Sequence, residues 1–372
     1  MVISKKTEII VIATSLNLGG SENQAVKLAN NLYKEGKNVH FISLKKGGAL
    51  KENLDEKISV IEYNLYAKSK KKYFPKVRSI IWFFLAAFRV RKEIKNYNIV
   101  VISYLFHASL FGYILSFGSK NLKHITSIRS DRFSGRKSRS LYLRELVMKL
   151  IVKSSSYVVF NSQISYKKYS TKFKITHKSK VINNFSDDGV IKLDKKEIEP
   201  RIYKGIFVGR LDELKNIDSL IISFAQFRNI NISLDIYGDG SQFGYLQKLI
   251  EDNNLENTVS LKGIVKNIIE HSEDYNFLIL TSFHEGFPNV IFEAMKNYLF
   301  VITTDVGDVK ELIRSDTGII INGFSKNDIA TALHSYIAIP YDQKLNIIKE
   351  AKKIVEQKTD FNSIIKSWLE IV

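Results

Sequence analysis

Asn276-Phe277-Leu278-Ile279-Leu280-Thr281-Ser282, followed shortly by Glu285-Gly286-Phe287-Pro288-Asn289-Val290-Ile291-Phe292-Glu293, is the stretch on which the reading of the chain turns. The first run is short and apolar, the pattern of a buried parallel strand, and Pro288 suits the first turn of a following helix. Glu285 therefore falls in the handover loop and Glu293 inside the helix, with seven residues between the two carboxylates. A helix N-terminus offers unpaired backbone N–H groups and the positive end of a dipole, which suit a phosphate, while flanking carboxylates suit hydroxyls. A nucleotide sugar carries both groups. Two glutamates alone read equally well as a loop acid and a solvated helix acid, so the decision rests on the rest of the chain.

A second strand end lies at Gly205-Ile206-Phe207-Val208-Gly209-Arg210-Leu211, followed by Lys215-Asn216. An always-charged Arg and a Lys five residues on can clamp a diphosphate through charge-assisted bonds, each worth about 1.5–3 kcal/mol. In isolation they read as surface cations beside Asp212 and Glu213. Near the N-terminus, Glu8–Thr14 reads as a strand, and Leu18-Gly19-Gly20-Ser21-Glu22 opens a helix with Ala25, Leu28, Ala29 and Leu32 at helical spacing. Glycines there let a phosphate approach the backbone, although neither a P-loop nor a full G-x-G-x-x-G is present. Ile236-Tyr237-Gly238-Asp239-Gly240 and Leu261-Lys262-Gly263 end two more strands. Their glycines read first as tight turns, and Lys262 as a candidate nucleobase contact.

Further strands are expected at Asn38–Leu44, Asn98–Tyr104, His124–Ile128, Tyr157–Ser162, Ile232–Tyr237 and Leu299–Thr304, alternating with helical patterns. Such alternation implies parallel sheets of βαβ units, an α/β fold. The length of 372 residues exceeds the usual single core, and 45% hydrophobic content is ample for burial. The glycine-loop strand starts near residues 8 and 205 suggest two Rossmann-like domains with the ligand between them. The expected boundaries are 1–186, a linker at 187–204, and 205–357, with a last helix in 358–372 crossing back to the first domain through Ile364 and Trp368. The chain has no Cys and so no disulfide, thiolate metal site or Cys nucleophile.

Charge is divided unequally. Residues 1–190 carry 35 Lys+Arg against 12 Asp+Glu, or +23, and residues 191–372 carry 21 against 26, or −5, which together give the overall +18. The densest cluster, Lys68, Lys70, Lys71, Lys72 and Lys76, precedes the apolar run Ile80–Phe88. At about 1 kcal/mol per lysine near an anionic surface, these five supply at most about 5 kcal/mol, reduced by salt. The apolar run is too short to span a bilayer and leads into a strand, so it reads as a core helix, with Trp82 and Phe83 the residues that would otherwise enter a membrane. A second basic set, Arg129, Arg132, Arg136, Lys137, Arg139 and Arg144, reads as a phosphate contact or a solvated face, with Arg129 nearest a strand end. The N-terminal residues lack the apolar core of a signal peptide, and the expected location is the cytosol, peripherally on the cytoplasmic face of the membrane. Basic charge and 12% aromatic content would also suit nucleic acid, but no stacking motif, recognition-helix signature or zinc spacing accompanies them.

With these motifs the chain resembles the retaining glycosyltransferases of family 4, also called glycosyl transferases group 1. The resemblance is strong over Gly205–Ile320, moderate at Gly19–Glu22 and weak over residues 46–184. It implies the GT-B fold, two Rossmann-like domains facing each other across a cleft. It also implies sugar transfer from a nucleoside diphosphate sugar, UDP by family frequency, with no cofactor beyond this co-substrate and no metal. By the same resemblance Arg210 and Lys215 stabilise the leaving diphosphate, and Glu285 holds the sugar hydroxyls with the backbone of Phe287, Pro288 and Asn289. Glu293 accepts from the ribose, and Gly19 and Gly20 face the diphosphate from the other domain. His107, just past a strand end, is a candidate sugar or phosphate contact, and His284 a second-rank one. The family places its acceptor on the N-terminal domain, so a basic one suggests a lipid-linked or anionic glycan acceptor at an anionic membrane surface. Asp305–Ile313 resembles the family segment beside the nucleotide and reads as mainly structural. Asn183-Asn184-Phe185 departs from the family's Asn-Pro before the linker. A non-catalytic GT-B subunit is the alternative reading, against which the intact Arg210, Lys215, Glu285 and Glu293 argue.

Overall fold

The apolar runs form two separate parallel sheets. A computed structural model describes residues 7–65, 75–94, 96–129, 139–175, 178–185, 200–265, 268–285, 289–358 and 360–372. Phe287, Pro288, Lys68–Lys72 and Arg132–Lys137 lie outside the described residues. The chain divides into one unit of Met1–Phe185 with Phe361–Val372 and a second of Ser186–Asp360.

In the first unit, strands β1 (Glu8–Ala13), β2 (Asn38–Ser43), β3 (Ser59–Glu62), β4 (Ile99–Tyr104), β5 (Leu122–Ile128), β6 (Tyr157–Phe160) and β7 (Ser179–Val181) lie in the order β3-β2-β1-β4-β5-β6-β7. All pairings are parallel. Helices cover both faces: α1 (Gly20–Lys34), α2 (Pro75–Ile94), α3 (Leu105–Ser116), α4 (Arg139–Ser154) and α5 (Gln163–Phe173). Ile9, Val11, Val100 and Ile102 point to one face, where Leu28 and Ala29 of α1 pack. The alternate residues Ile10, Ile12 and Val101 point to the other, against Phe83 and Ala87 of α2 and Phe111 of α3. Burial on both sides explains why the central strands read as continuous apolar runs. The order reverses between β1 and β4, a topological switch point.

The last helix, α11 in chain order (Phe361–Leu369), belongs to this unit, where Ile364, Ile365 and the fully buried Trp368 join the α1 side of the core. Arg129 supports it from below. Its guanidinium stacks on Tyr104 and Trp368 and donates to Ser127 Oγ at 2.6 Å and Asn184 Oδ1 at 2.5 Å. Gln24 and Phe185 exchange amide and backbone bonds of 2.7 Å, so the Asn183–Phe185 segment that departs from the family pattern ends the unit by pairing with α1.

In the second unit, β8 (Tyr203–Val208), β9 (Ile232–Tyr237), β10 (Val259–Gly263), β11 (Phe277–Leu280), β12 (Phe300–Thr304) and β13 (Ile319–Ile321) form a parallel sheet ordered β10-β9-β8-β11-β12-β13. Its helices are α6 (Ile217–Ser223), α7 (Phe243–Asp252), α8 (Asn289–Lys296), α9 (Lys326–Ala338) and α10 (Tyr341–Lys358). The order reverses between β8 and β11. Gly205 is required where those strands meet, because a Cβ there would lie 2.3 Å from the Phe277 ring.

The edge strands β3, β7 and β13 go beyond the sequence expectation. They are three or four residues long and largely half-buried, too short for a periodic signal. The run read as a core helix is helical but buries one side only. Phe83 is 7% exposed, whereas Trp82 is 54% exposed. Among the described residues no helix is long and apolar enough to cross a membrane.

His124, on β5, is fully buried beneath Gly112 of α3, where a Cβ would lie 2.5 Å from its Nε2. That nitrogen faces Ser103 Oγ at 2.8 Å, and burial lowers the imidazole pKa to about 3. The unfolded chain therefore takes up a proton first, so this contribution to stability is complete above pH 6.5 and is lost as pH falls toward 3. The expected slope from this residue is about 1.4 kcal/mol per pH unit in that window. Both tryptophans lie in this unit, so denaturation followed by tryptophan fluorescence reads it directly. Equal slopes for wild type and His124→Asn would refute the assignment.

Candidate active site

The loops after β8 and β11 flank the switch point of the second sheet, and they carry the charged residues singled out in the sequence. The first of these loops is held by its neighbour after β9. Gly209 N–H donates to Tyr237 O at 3.0 Å, Leu211 N–H to Asp239 O at 3.0 Å, and Gln242 N–H to Leu211 O at 3.1 Å. Contact is so close that a Cβ on Gly238 would lie 1.8 Å from Gly209 O, and one on Gly240 would lie 2.2 Å from Leu211 O. Gly238 also has φ +148°, a conformation that side chains disfavour. These two glycines thus serve the turn, as the sequence suggested. Between the pinned residues Gly209 and Leu211 the Arg210 side chain is exposed, with no hydrogen bond or ion pair to the described residues.

Past Leu211 the Asp212 carboxylate caps the short turn Glu213–Lys215 by accepting from Leu214 N–H at 3.2 Å. Asn216 then takes a left-handed conformation and donates its amide to Phe324 O at 2.8 Å. One hydroxyl ties this turn to the end of β11, and two more brace the segment that follows the strand. Thr281 Oγ1 donates to the carbonyls of Lys215 and Asn216, Thr304 Oγ1 donates to Ser282 O at 2.7 Å, and Ser282 Oγ donates to Glu285 Oε1 at 2.7 Å. Phe283 N–H donates to Leu214 O at 2.8 Å. The result is that Lys215 Nζ meets Glu285 Oε1 at 2.5 Å, with the two side chains 19% and 14% exposed. The ammonium has three donors and directs one at Glu285, so it can also meet an incoming anion.

Asn289 opens α8, and Glu293 lies partly buried one turn along it. Lys262 stands at the β10 edge with its ammonium 3.5 Å from Asp235 Oδ1. The same carboxylate holds Lys204 at 3.2 Å and accepts from Tyr275 OH at 2.6 Å. Burial, and then the Asp235 hydrogen bond, raise the Tyr275 pKa. In Asp305–Ile313, Glu311 accepts from Lys358 Nζ of α10 at 3.4 Å, a contact distant in sequence.

In the first unit, Gly19 is the N-cap of α1 and Gly20 its first residue. A Cβ on Gly19 would lie 2.6 Å from Glu22 Oε2, because the Glu22 carboxylate folds back over this helix end. Gly48 is a further required glycine. At φ +131° it lies so close to the loop after β1 that a Cβ would be 2.2 Å from the Leu16 carbonyl carbon. His107 lies in the first turn of α3, after Leu105 at φ +68° and beside the Phe106 ring. Arg129 is 7% exposed and engaged as described above, which places its guanidinium in the support of α11. Among the described residues there is no cluster of three or more His, Cys, Asp or Glu able to hold a metal ion. Sequence reasoning missed Thr281, Ser282 and Thr304; their signal was hydroxyl residues directly following apolar strands.

Comparison with known proteins bears on this geometry. Residues 18–189 match the model described as Glycosyltransferase Family 4, and residues 192–354 match Glycosyl transferases group 1. An uncharacterised glycosyltransferase of Methanocaldococcus jannaschii is 31% identical over 201 residues, 50% of this chain and 49% of that protein. The poly(ribitol-phosphate) alpha-N-acetylglucosaminyltransferase of Staphylococcus aureus is 28% identical over 174 residues, 44% of this chain and 34% of that protein. The match therefore spans less than half the length of either relative. The crystal structure of Anabaena HepE in complex with UDP-glucose has the same fold, with TM-score 0.81, 21% identity and coverage of 98% of this chain and 100% of that one. The chain belongs to the group 1 and family 4 glycosyltransferases, with the GT-B fold.

The close approach of Gly238 to Gly209 gives a direct test. Gly238→Ala is expected to cost about 1–3 kcal/mol and to disturb the Arg210 loop. Gly244→Ala, in α7 with open space around it, is expected to be neutral or to gain up to about 1 kcal/mol. Urea denaturation followed by circular dichroism checks both.

Proposed function

We propose that the chain transfers a hexose or N-acetylhexosamine from a nucleoside diphosphate sugar, UDP-linked, to a hydroxyl of an anionic, lipid-linked glycan, with retention of configuration. The observation that carries this reading is the Lys215–Glu285 pair at the switch point of the second sheet, where open α/β sheets bind ligands. Lys215 and the exposed Arg210 meet the diphosphate and stabilise the charge that grows on it as the sugar departs. Glu285, held by Ser282, accepts from sugar hydroxyls, and the ammonium beside it keeps that carboxylate oriented. Glu293, on α8, accepts from the ribose.

In the proposed step the bond from the anomeric carbon to the phosphate oxygen breaks. The acceptor oxygen bonds to the same face of that carbon, and the acceptor proton passes to the departing phosphate. No enzymic nucleophile and no metal are needed for this balance. HepE was solved with UDP-glucose, which supports the donor class, and the S. aureus relative acts on a phosphate polymer, which accords with the +23 of residues 1–190.

Calorimetric titration with UDP, GDP and ADP tests the donor site. One nucleotide, UDP, is expected to bind, with affinity reduced about tenfold or more in Arg210→Ala and Glu293→Ala, since each removes a hydrogen bond to a charged group. Unchanged affinity in both variants would sink the assignment.

A further inference from the structure

Helix α2 has two apolar faces. The inner one, Phe83, Ala86, Ala87, Val90 and Ile94, is buried in the core. On the outer side Ile81, Phe84, Leu85 and Phe88 recur at i, i+3, i+4 and i+7, all exposed, with Trp82 beside them. That spacing places them in one stripe along the helix. Past Phe88 the same side turns basic, with Arg89 and Lys92 exposed. Helix α4 repeats the arrangement. Met148, Ile151 and Val152 are buried, while Leu143, Leu146 and Leu150, at i, i+3 and i+7, face outward with Tyr142, among exposed Arg144, Lys149 and Lys153. Both helices flank α3 in the layer over one sheet face, so the two stripes belong to the same side of the unit.

Exposed apolar residues are ordinary when scattered, but two helix-length stripes on one side mark an interaction surface. Charge selects the occupant. The acids described on these helices are Glu93 and Glu145, and each already faces a cation, Arg89 at 3.7 Å and Lys172 at 2.8 Å. A second copy of the chain, docking the same patch on itself, would set unpaired cations against their equals. Lipid phosphates would neutralise them. Trp82 and Tyr142 carry amphipathic rings suited to a headgroup layer, and among the described residues neither helix is long and apolar enough to cross a membrane.

We propose that the α2–α4 face of the first unit seats on an anionic bilayer, its apolar stripes lying in the headgroup–acyl boundary and its flanking cations on lipid phosphates. This stands on the geometry of that face and not on the donor assignment. It is tested on the full chain with vesicles of phosphatidylglycerol and phosphatidylcholine against phosphatidylcholine alone. Trp368 is fully buried and Trp82 is the other tryptophan of the chain, so a change in emission reports Trp82.

The expected result is co-sedimentation with the anionic vesicles, a blue shift, and quenching by brominated lipid. Leu85→Gln on α2 and Leu146→Gln on α4 should each lower vesicle affinity about tenfold. Using two helices guards against local misfolding. Nucleotide titration of the same variants should match wild type, which separates loss of this face from failure of the donor site. Absence of a Trp82 response, or variants that partition like wild type, would overturn the proposal. So would a dimer in sedimentation velocity that Leu85→Gln dissolves, which would assign the face to a second copy.

Discussion

The second unit is organised by a charge pair that two loops must be held in register to make. Lys215 and Glu285 come from opposite sides of the strand-order reversal, the first at the end of the single short turn Glu213–Lys215 and the second in an irregular loop. Their meeting at 2.5 Å depends on backbone carbonyls and hydroxyls beneath. Removing two charges from water is costly unless further hydrogen bonds complete the site, and here the Ser282 hydroxyl supplies one. The pair is poor evidence for stability by itself. Its consequence is orientation: a carboxylate and an ammonium are fixed side by side before any ligand arrives, so little ordering remains to be done on binding. The glycines of the β9 turn belong to the same construction, because a side chain at Gly238 would push away the loop that carries Arg210.

A different constraint governs the first unit, where polar groups are buried deep in the layers. Arg129 joins the ends of β4 and β5, the segment that closes the unit and the helix that returns to it, with its donors spent on Ser127, Asn184 and Tyr104. Burial lowers its pKa, yet an arginine stays charged well above neutrality, so the cation is held by rings and oxygens that must all be in place. Removing any one of them leaves a buried charge short of a partner. The return of α11 is thereby tied to the C-terminal ends of β4 and β5 and not only to apolar packing.

Much of the architecture was legible from residues because central parallel strands must be apolar on both faces. Glu8–Ala13, Ile99–Tyr104 and Phe277–Leu280 are buried throughout, and each stands out as a run. Edge strands such as Ser179–Val181 have no such requirement and left no signal. Lys215 and Glu285, which the structure brings together, were singled out in the sequence, whereas their supports were not. Thr281 and Thr304 act through hydroxyl bonds to carbonyls far away in sequence, which no local pattern records. Arg129 is a different case. Its position after a strand suggested a phosphate contact, and only the fold brings Tyr104, Asn184 and Trp368 around it.

The unequal charge of the two halves sets two different problems of anion recognition. Residues 191–372 carry a net −5, so the diphosphate proposed to bind them gains no long-range attraction from this half itself and would be held by local cations. Arg210 on a pinned loop and Lys215 beside Glu285 are of that kind, effective at contact distance, where screening by salt is least. Residues 1–190, at +23, act over a Debye length and draw a polyanion or a charged surface without naming any single contact. Self-repulsion among so many cations weakens a compact fold, and it is relieved when an anionic partner is present. A half with this charge suits the anionic partner proposed above, whereas the proposed donor site needs only its local cations.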